Sequence, residues 1–138
     1  MGKIDTVVYL RKLGVHITNA RKLVLLTFLQ NRVALTQGQI LRITNDTIDR
    51  VTIYRTLDLF VCKGIIHIIP SMDNITRYAL LRSNKDAGYY NNHLHFMCDN
   101  CGKTICLNTI PVPMMPLPNG YSIKETEVIV KGTCKNCN

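Results

Sequence analysis

The sequence predicts an α+β chain in two unequal parts, a winged helix-turn-helix followed by a smaller, mostly β domain closed by a four-cysteine zinc site. Three observations predict it. Four capped stretches of helical spacing precede two short runs of strand character. Two Cys-x-x-Cys pairs, Cys98/Cys101 and Cys134/Cys137, lie in the second part. Nearly all of the formal charge of +8 lies in the first: residues 1–83 hold 12 Lys and Arg against 5 Asp and Glu, residues 84–138 only 5 against 4.

The elements follow in order. Val7, Val8, Leu10 and Leu13 are spaced as on a helix, and Gly14 ends it. Thr18 caps a second helix, Asn19 to Leu29, that is apolar on more than one side. Thr36 with Gln39 is a capping box that opens a short third helix to about Ile43. Asp49 caps a fourth, with Val51, Ile53, Tyr54, Leu57, Phe60 and Val61 expected on its inner face and Gly64 at its end. Ile65–Ile69 and Thr76–Leu81 then read as a hairpin about the turn residues Pro70 to Asn74. Helices followed by a hairpin is the order of a winged helix-turn-helix.

Residues 83–92 are polar, without apolar periodicity, and read as a linker. Beyond it, strands at His95–Met97 and Thr104–Leu107 flank the first cysteine pair. Pro111, Pro113, Pro116 and Pro118 exclude a regular helix there. Tyr121 to Lys131 reads as one long strand or two. The expected domains are therefore 1–82, a linker 83–92, and 93–138.

Composition narrows the class. No apolar run is long enough to cross a bilayer, and the opening residues lack the apolar core of a signal peptide, so a cytoplasmic protein without a membrane partner is expected. The basic excess suits a polyanion such as nucleic acid, although charge alone fits equally a surface that only aids solubility.

Six cysteines without a secretion signal argue against a disulfide framework. Two residues between thiolates let both sulfurs reach one metal from a tight turn, and four such thiolates make a closed tetrahedral zinc site. The 32 residues between the pairs exceed zinc-ribbon spacing, so the site must staple two ends of a domain. In the fourth helix, Arg50, Thr52 and Arg55 sit on the outer face near the N-terminus, where dipole and side chains favour phosphates and base edges. Tyr54 fits either that face or the core.

With these residues in view the chain resembles the ferric uptake regulator family. The matching runs are Gly14 to Arg21, Val51 to Leu57 with Gly64-Ile65-Ile66, His93 to Lys103, and Gly132 to Cys137. The resemblance implies a homodimer, the second domain being the dimerisation domain, that binds a palindromic double-stranded DNA operator when loaded with metal. It places Tyr54 and Arg55 toward the major groove and Lys12 toward the minor groove. It makes His93 and His95 ligands of a second, regulatory divalent metal (Fe2+, Zn2+ or Mn2+). Two residues apart on a strand, they share a face.

The chain also departs from the family. Asn31-Arg32 stands where a histidine is common, and Tyr78-Ala79-Leu80 where a glutamate is common between Tyr and Leu. Cys106, five residues after Cys101, replaces a frequent acidic residue. Cys106, Asp86 and Asp73 are the candidates to complete the regulatory set, and Cys106 is equally readable as a small buried hydrophobe. Carboxylates would suit iron or manganese; Cys106 would lean to zinc. The usual dimerisation helix gives way to Thr109–Pro118, so a shortened, mostly β domain is expected. The expected function is a metal-responsive transcription regulator, most simply a repressor. The rival is a constitutive nucleic-acid-binding zinc module whose only metal is structural. No general base accompanies the His and Cys residues, so an enzyme is not expected.

Overall fold

The computed structural model of the chain describes residues 4–69, 73–81, 94–107, 109–124 and 126–138. It divides into two compact units, Met1–Leu81 and Arg82–Asn138. The expected linker, residues 83–92, lies outside the described residues, as do Asp86 and His93.

In the first unit each helix begins where a side chain can accept its orphan amides. The Asp5 carboxylate accepts from the Val7 amide at 2.9 Å and opens α1, Thr6–Lys12. Thr18 Oγ1 accepts from the Arg21 amide at 3.2 Å and opens α2, Asn19–Gln30. At α3, Gln37–Ile43, the capping box is complete: the Gln39 amide donates to Thr36 Oγ1 at 3.1 Å and the Thr36 amide to Gln39 Oε1 at 2.8 Å. Asp49 opens α4, Arg50–Cys62, taking the Thr52 amide at 3.3 Å and the Thr52 hydroxyl. Gly14 (φ 70°) and Gly64 (φ 69°) end α1 and α4 in the left-handed region that their lack of a Cβ permits.

Thr36→Ala removes one half of the capping box, and we expect a loss of about 1 kcal/mol in stability. Denaturant unfolding followed by circular dichroism checks this; an unchanged midpoint would show that solvent satisfies the α3 amides equally well.

The apolar stripes meet in one core built from Leu10, Val24, Leu25, Phe28, Ile40, Ile53, Leu57 and Phe60. On α4 the buried face is Ile53, Thr56, Leu57 and Phe60, an i, i+3, i+4, i+7 stripe. This corrects the sequence reading for Val51, which is 55% exposed, and puts Tyr54, 52% exposed, on the outer of the two faces it fitted. The helical period carries both onto the opposite side, with Arg55 and Asp58. Strands β1, Ile66–Ile69, and β2, Arg77–Leu80, pair antiparallel with Ile66 opposite Leu80 and His67 opposite Ala79. Leu35 adds a bridge to the other edge of β2 through two hydrogen bonds with Tyr78, at 2.8 and 2.9 Å.

The second unit is a three-stranded sheet of order β4-β3-β5. Strand β3, Leu94–Cys98, runs antiparallel to β4, Thr104–Leu107, and parallel to β5, Val128–Gly132. The return to β5 passes through the proline-rich stretch, where the described residues hold neither helix nor strand. The strand expected from Tyr121 is shorter than predicted: residues 121–124 carry no strand, and pairing begins at Val128, which sits opposite Leu94. A strand needs a partner as well as apolar residues. No helix among the described residues is long and apolar enough to cross a membrane.

Candidate metal centres and nucleic-acid interface

The sheet topology assembles the four-cysteine cluster. Because β5 runs parallel to β3, both strands leave the sheet at the same end, with Cys98 in register with Gly132. The first Cys-x-x-Cys turn begins at the end of β3 and the second follows two residues after β5. Their connection is reinforced by the Asp99 amide, which donates to the Gly132 carbonyl at 2.8 Å. Gly132 also fits because a Cβ there would lie only 3.3 Å from the Phe96 ring.

The geometry suits a tetrahedral metal. Four sulfurs roughly 2.3 Å from a common centre stand about 3.8 Å apart. Sγ of Cys101 and Sγ of Cys134 are 3.8 Å apart, and all four Sγ atoms lie within 4.8 Å of one another. All four cysteines are free of disulfides. Each turn also supplies amides to sulfur, the Cys134 amide donating to Cys98 Sγ at 3.3 Å. Amide donation from Cys101 and Cys134 pulls the Cys98 thiol down to about 6. Cys137 goes the other way, to about 11: the Asn100 side chain favours its thiolate, but the neighbouring Cys134 sulfur, partial burial and the Cys101 and Cys98 sulfurs outweigh it. Four thiolates cannot share this space without a cation. The cluster is suited to a structural zinc ion.

A second His/Cys arrangement lies on the sheet itself. His95 and Cys106 are direct cross-strand partners on β3 and β4, so their side chains share a face. Their ligand atoms lie within 4.8 Å of each other; His95 is 2% exposed and Cys106 is half-buried. Ile129 of β5 flanks His95 on the other side in the same register. Of the other expected ligands, His93 and Asp86 lie outside the described residues. Asp73 sits in the hairpin of the first unit, where its two carboxylate oxygens take Arg77 Nη1 at 3.0 Å and Nη2 at 2.9 Å.

His67 is a residue the sequence reading passed over. It lies half-buried on β1, directly opposite Ala79, the position for which the resemblance implies a glutamate. The hairpin therefore presents an imidazole beside the place where the acid is missing. The signal is the hairpin register, which the pairing of Ile69 with Arg77 fixes.

The expected DNA-contacting side chains lie in the first unit. Lys12, at the last turn of α1, is exposed, as are Arg50, Tyr54 and Arg55 on α4. Thr52 is half-buried, with its hydroxyl engaged by Asp49. Val51, missed as a surface residue, joins Tyr54 and Arg55 on the outer stripe. Gln37 Nε2 donates to the Arg50 carbonyl at 2.9 Å, tying the start of α3 to the start of α4.

Comparison with known proteins agrees with this architecture. The fold is similar to the ferric uptake regulator of Vibrio cholerae, at 18% identity and TM-score 0.66, over 94% of this chain and 100% of that one. It is similar to a zinc uptake regulator solved in complex with zinc and DNA, at 20% identity and TM-score 0.64, over 98% and 96% of the two chains. It is also similar to the ferric uptake regulator of Francisella tularensis solved with iron, at 21% identity and TM-score 0.61, over 90% and 95%. At these identities the likeness is one of fold. The family model of the ferric uptake regulators matches residues 12–113. With that match spanning most of its length, the chain belongs to the ferric uptake regulator family, a family of transcription regulators.

Proposed function

We propose that the protein is a homodimeric, metal-responsive repressor that binds palindromic double-stranded DNA operators. The observation that carries this reading is the outer face of α4, where Arg50, Val51, Tyr54 and Arg55 stand exposed in the basic unit. In this reading α3 and α4 form the helix-turn-helix, the β1–β2 hairpin is the wing, and Lys12 reaches the minor groove. Arg55 and Arg50 supply cationic donors to phosphates and guanine edges, and Val51 and Tyr54 offer apolar contact to thymine methyls. Two copies of α4 in a two-fold dimer would address half-sites about one helical turn apart, or a multiple of it. The zinc uptake regulator solved with zinc and DNA supports the use of this fold on DNA.

The cysteine cluster holds a structural zinc in this reading, while His93 and His95 belong to the metal that regulates. Such a metal shifts the population toward the DNA-competent form only by its differential affinity for the two forms. Replacing His93 and His95 together with Ala should keep the cysteine-bound zinc and the dimer but abolish the metal-dependent part of operator binding. Elemental analysis with metal-titrated gel shifts reads both. An operator affinity that responds to added metal as the parent does would sink the assignment. It would favour a constitutive DNA-binding zinc module in its place.

A further inference from the structure

We propose that Gln37 is a positioning residue for base readout: its side-chain amide holds the first turn of α4 so that Arg50 and Val51 meet the operator in one fixed register. The inference rests on the reading that α4 enters the major groove. Gln37 is the first residue of α3, and its Nε2 donates to the Arg50 carbonyl, thirteen residues on, at 2.9 Å. Among the described residues no other hydrogen bond joins α3 to α4.

The carbonyl that Gln37 takes is a shared one. Arg50 opens α4, and the helical pattern gives its carbonyl the amide of Tyr54, four residues on. The Gln37 amide takes the second lone pair. The peptide group between Arg50 and Val51 is therefore fixed from two sides, and both side chains that leave from it are exposed. Tyr54 is tied to the same oxygen through its own backbone.

The other bonds of the α3–α4 connection gather at the turn. The Asp46 amide donates to the Leu41 carbonyl at 3.1 Å, and the Thr47 amide to the Thr44 carbonyl at 3.0 Å. Asn45 and Asp46 take φ 51° and 56° there, left-handed values that non-glycine residues hold only while their surroundings require it. The turn fastens the end of α3 to the start of α4. Gln37 fastens the start of α3 to the same place, so the two together triangulate it.

The bond is exposed, so water can replace it at little cost in stability. Its loss is felt where geometry counts, because a binding side chain must be held within about 0.5 Å of its productive position. Phosphate contacts carry no sequence information directly and should be spared. Removing the clamp should therefore cost sequence discrimination, not fold or general affinity for DNA.

The test uses the full chain with the zinc, iron(II) or manganese that supports its binding. Two duplexes are compared, one that the parent selects from a random pool and one of the same composition in scrambled order. Gln37→Met keeps the length of the side chain and removes the donor; Gln37→Asn keeps the amide and shortens its reach by a methylene. Both should lose about three- to tenfold in affinity for the selected duplex, the scale of one hydrogen bond. Affinity for the scrambled duplex, salt dependence, helical signal and melting temperature should stay those of the parent. In an Arg50→Ala/Val51→Ala background the Gln37→Met loss should fall below about twofold, because little is left to position. Unaltered discrimination in both Gln37 variants, equal losses on both duplexes, or a full additional loss in that background would overturn the proposal. An Arg50→Ala/Val51→Ala protein that discriminates as the parent does overturns instead the reading of α4 as the helix in the groove.

Discussion

Cys134→Ser and Cys98→Ser should each leave the C-terminal unit unfolded and the protein aggregated or monomeric. Among the described residues of that unit only Leu94, His95, Cys98 and Thr104 are buried. Its apolar side chains are largely at the surface, Met114 being 98% exposed and Ile110, Leu117, Tyr121 and Ile123 exposed as well. A unit with so little interior depends on something besides the hydrophobic effect, and a structural zinc supplies it directly as folding free energy. The N-terminal unit has its own core around Phe28 and Phe60 and should keep its helical signal. Zinc content, size-exclusion chromatography and circular dichroism together read the outcome. A folded, dimeric, zinc-free Cys134→Ser protein would contradict the role given to the cluster.

The second large effect concerns DNA. Arg55→Ala and Tyr54→Ala should each weaken operator binding by on the order of 1–3 kcal/mol, the worth of a good base contact. That corresponds to a loss of affinity from about fivefold to more than a hundredfold. Both side chains are exposed, so the fold, zinc content and oligomeric state should be those of the parent. Gel shifts on a bound operator decide it. Unaltered affinity in both variants would show that α4 is not the element that reads the groove.

How legible the molecule was in its sequence depended on how local each signal is. Caps are local, and Asp49, Thr36 and Thr18 marked the starts of their helices because a side-chain oxygen need only reach an amide two or three residues on. The cysteine spacing was equally local, and the structure brings all four sulfurs together. The failures are non-local. Val51 looks like a core residue by type and Tyr54 fitted either face, and only the phase of α4 against its neighbours puts both outside. Tyr121 and Ile123 have strand character but no partner strand among the described residues. His67 reads as one more residue of an apolar run until the register sets it opposite Ala79. Cys106 is readable from the sequence as ligand or core, and only the strand register shows that it stands across the ladder from His95.

The parallel return of β5 beside β3 has a further consequence. A parallel pair cannot be closed by a tight turn, so the chain must carry a long connection between its two knuckles. The proline-rich part of that connection starts after Leu107 and ends before Val128, which both pair with Leu94, so the sheet holds its two ends close and its length becomes nearly free thermodynamically. Each doubling of a flexible loop adds only about 0.6 kcal/mol to the cost of closing it. The stretch holding Pro111, Pro113, Pro116 and Pro118 is therefore the part of this domain where evolution can insert, delete or rewrite most cheaply, while the fastening stays where it is.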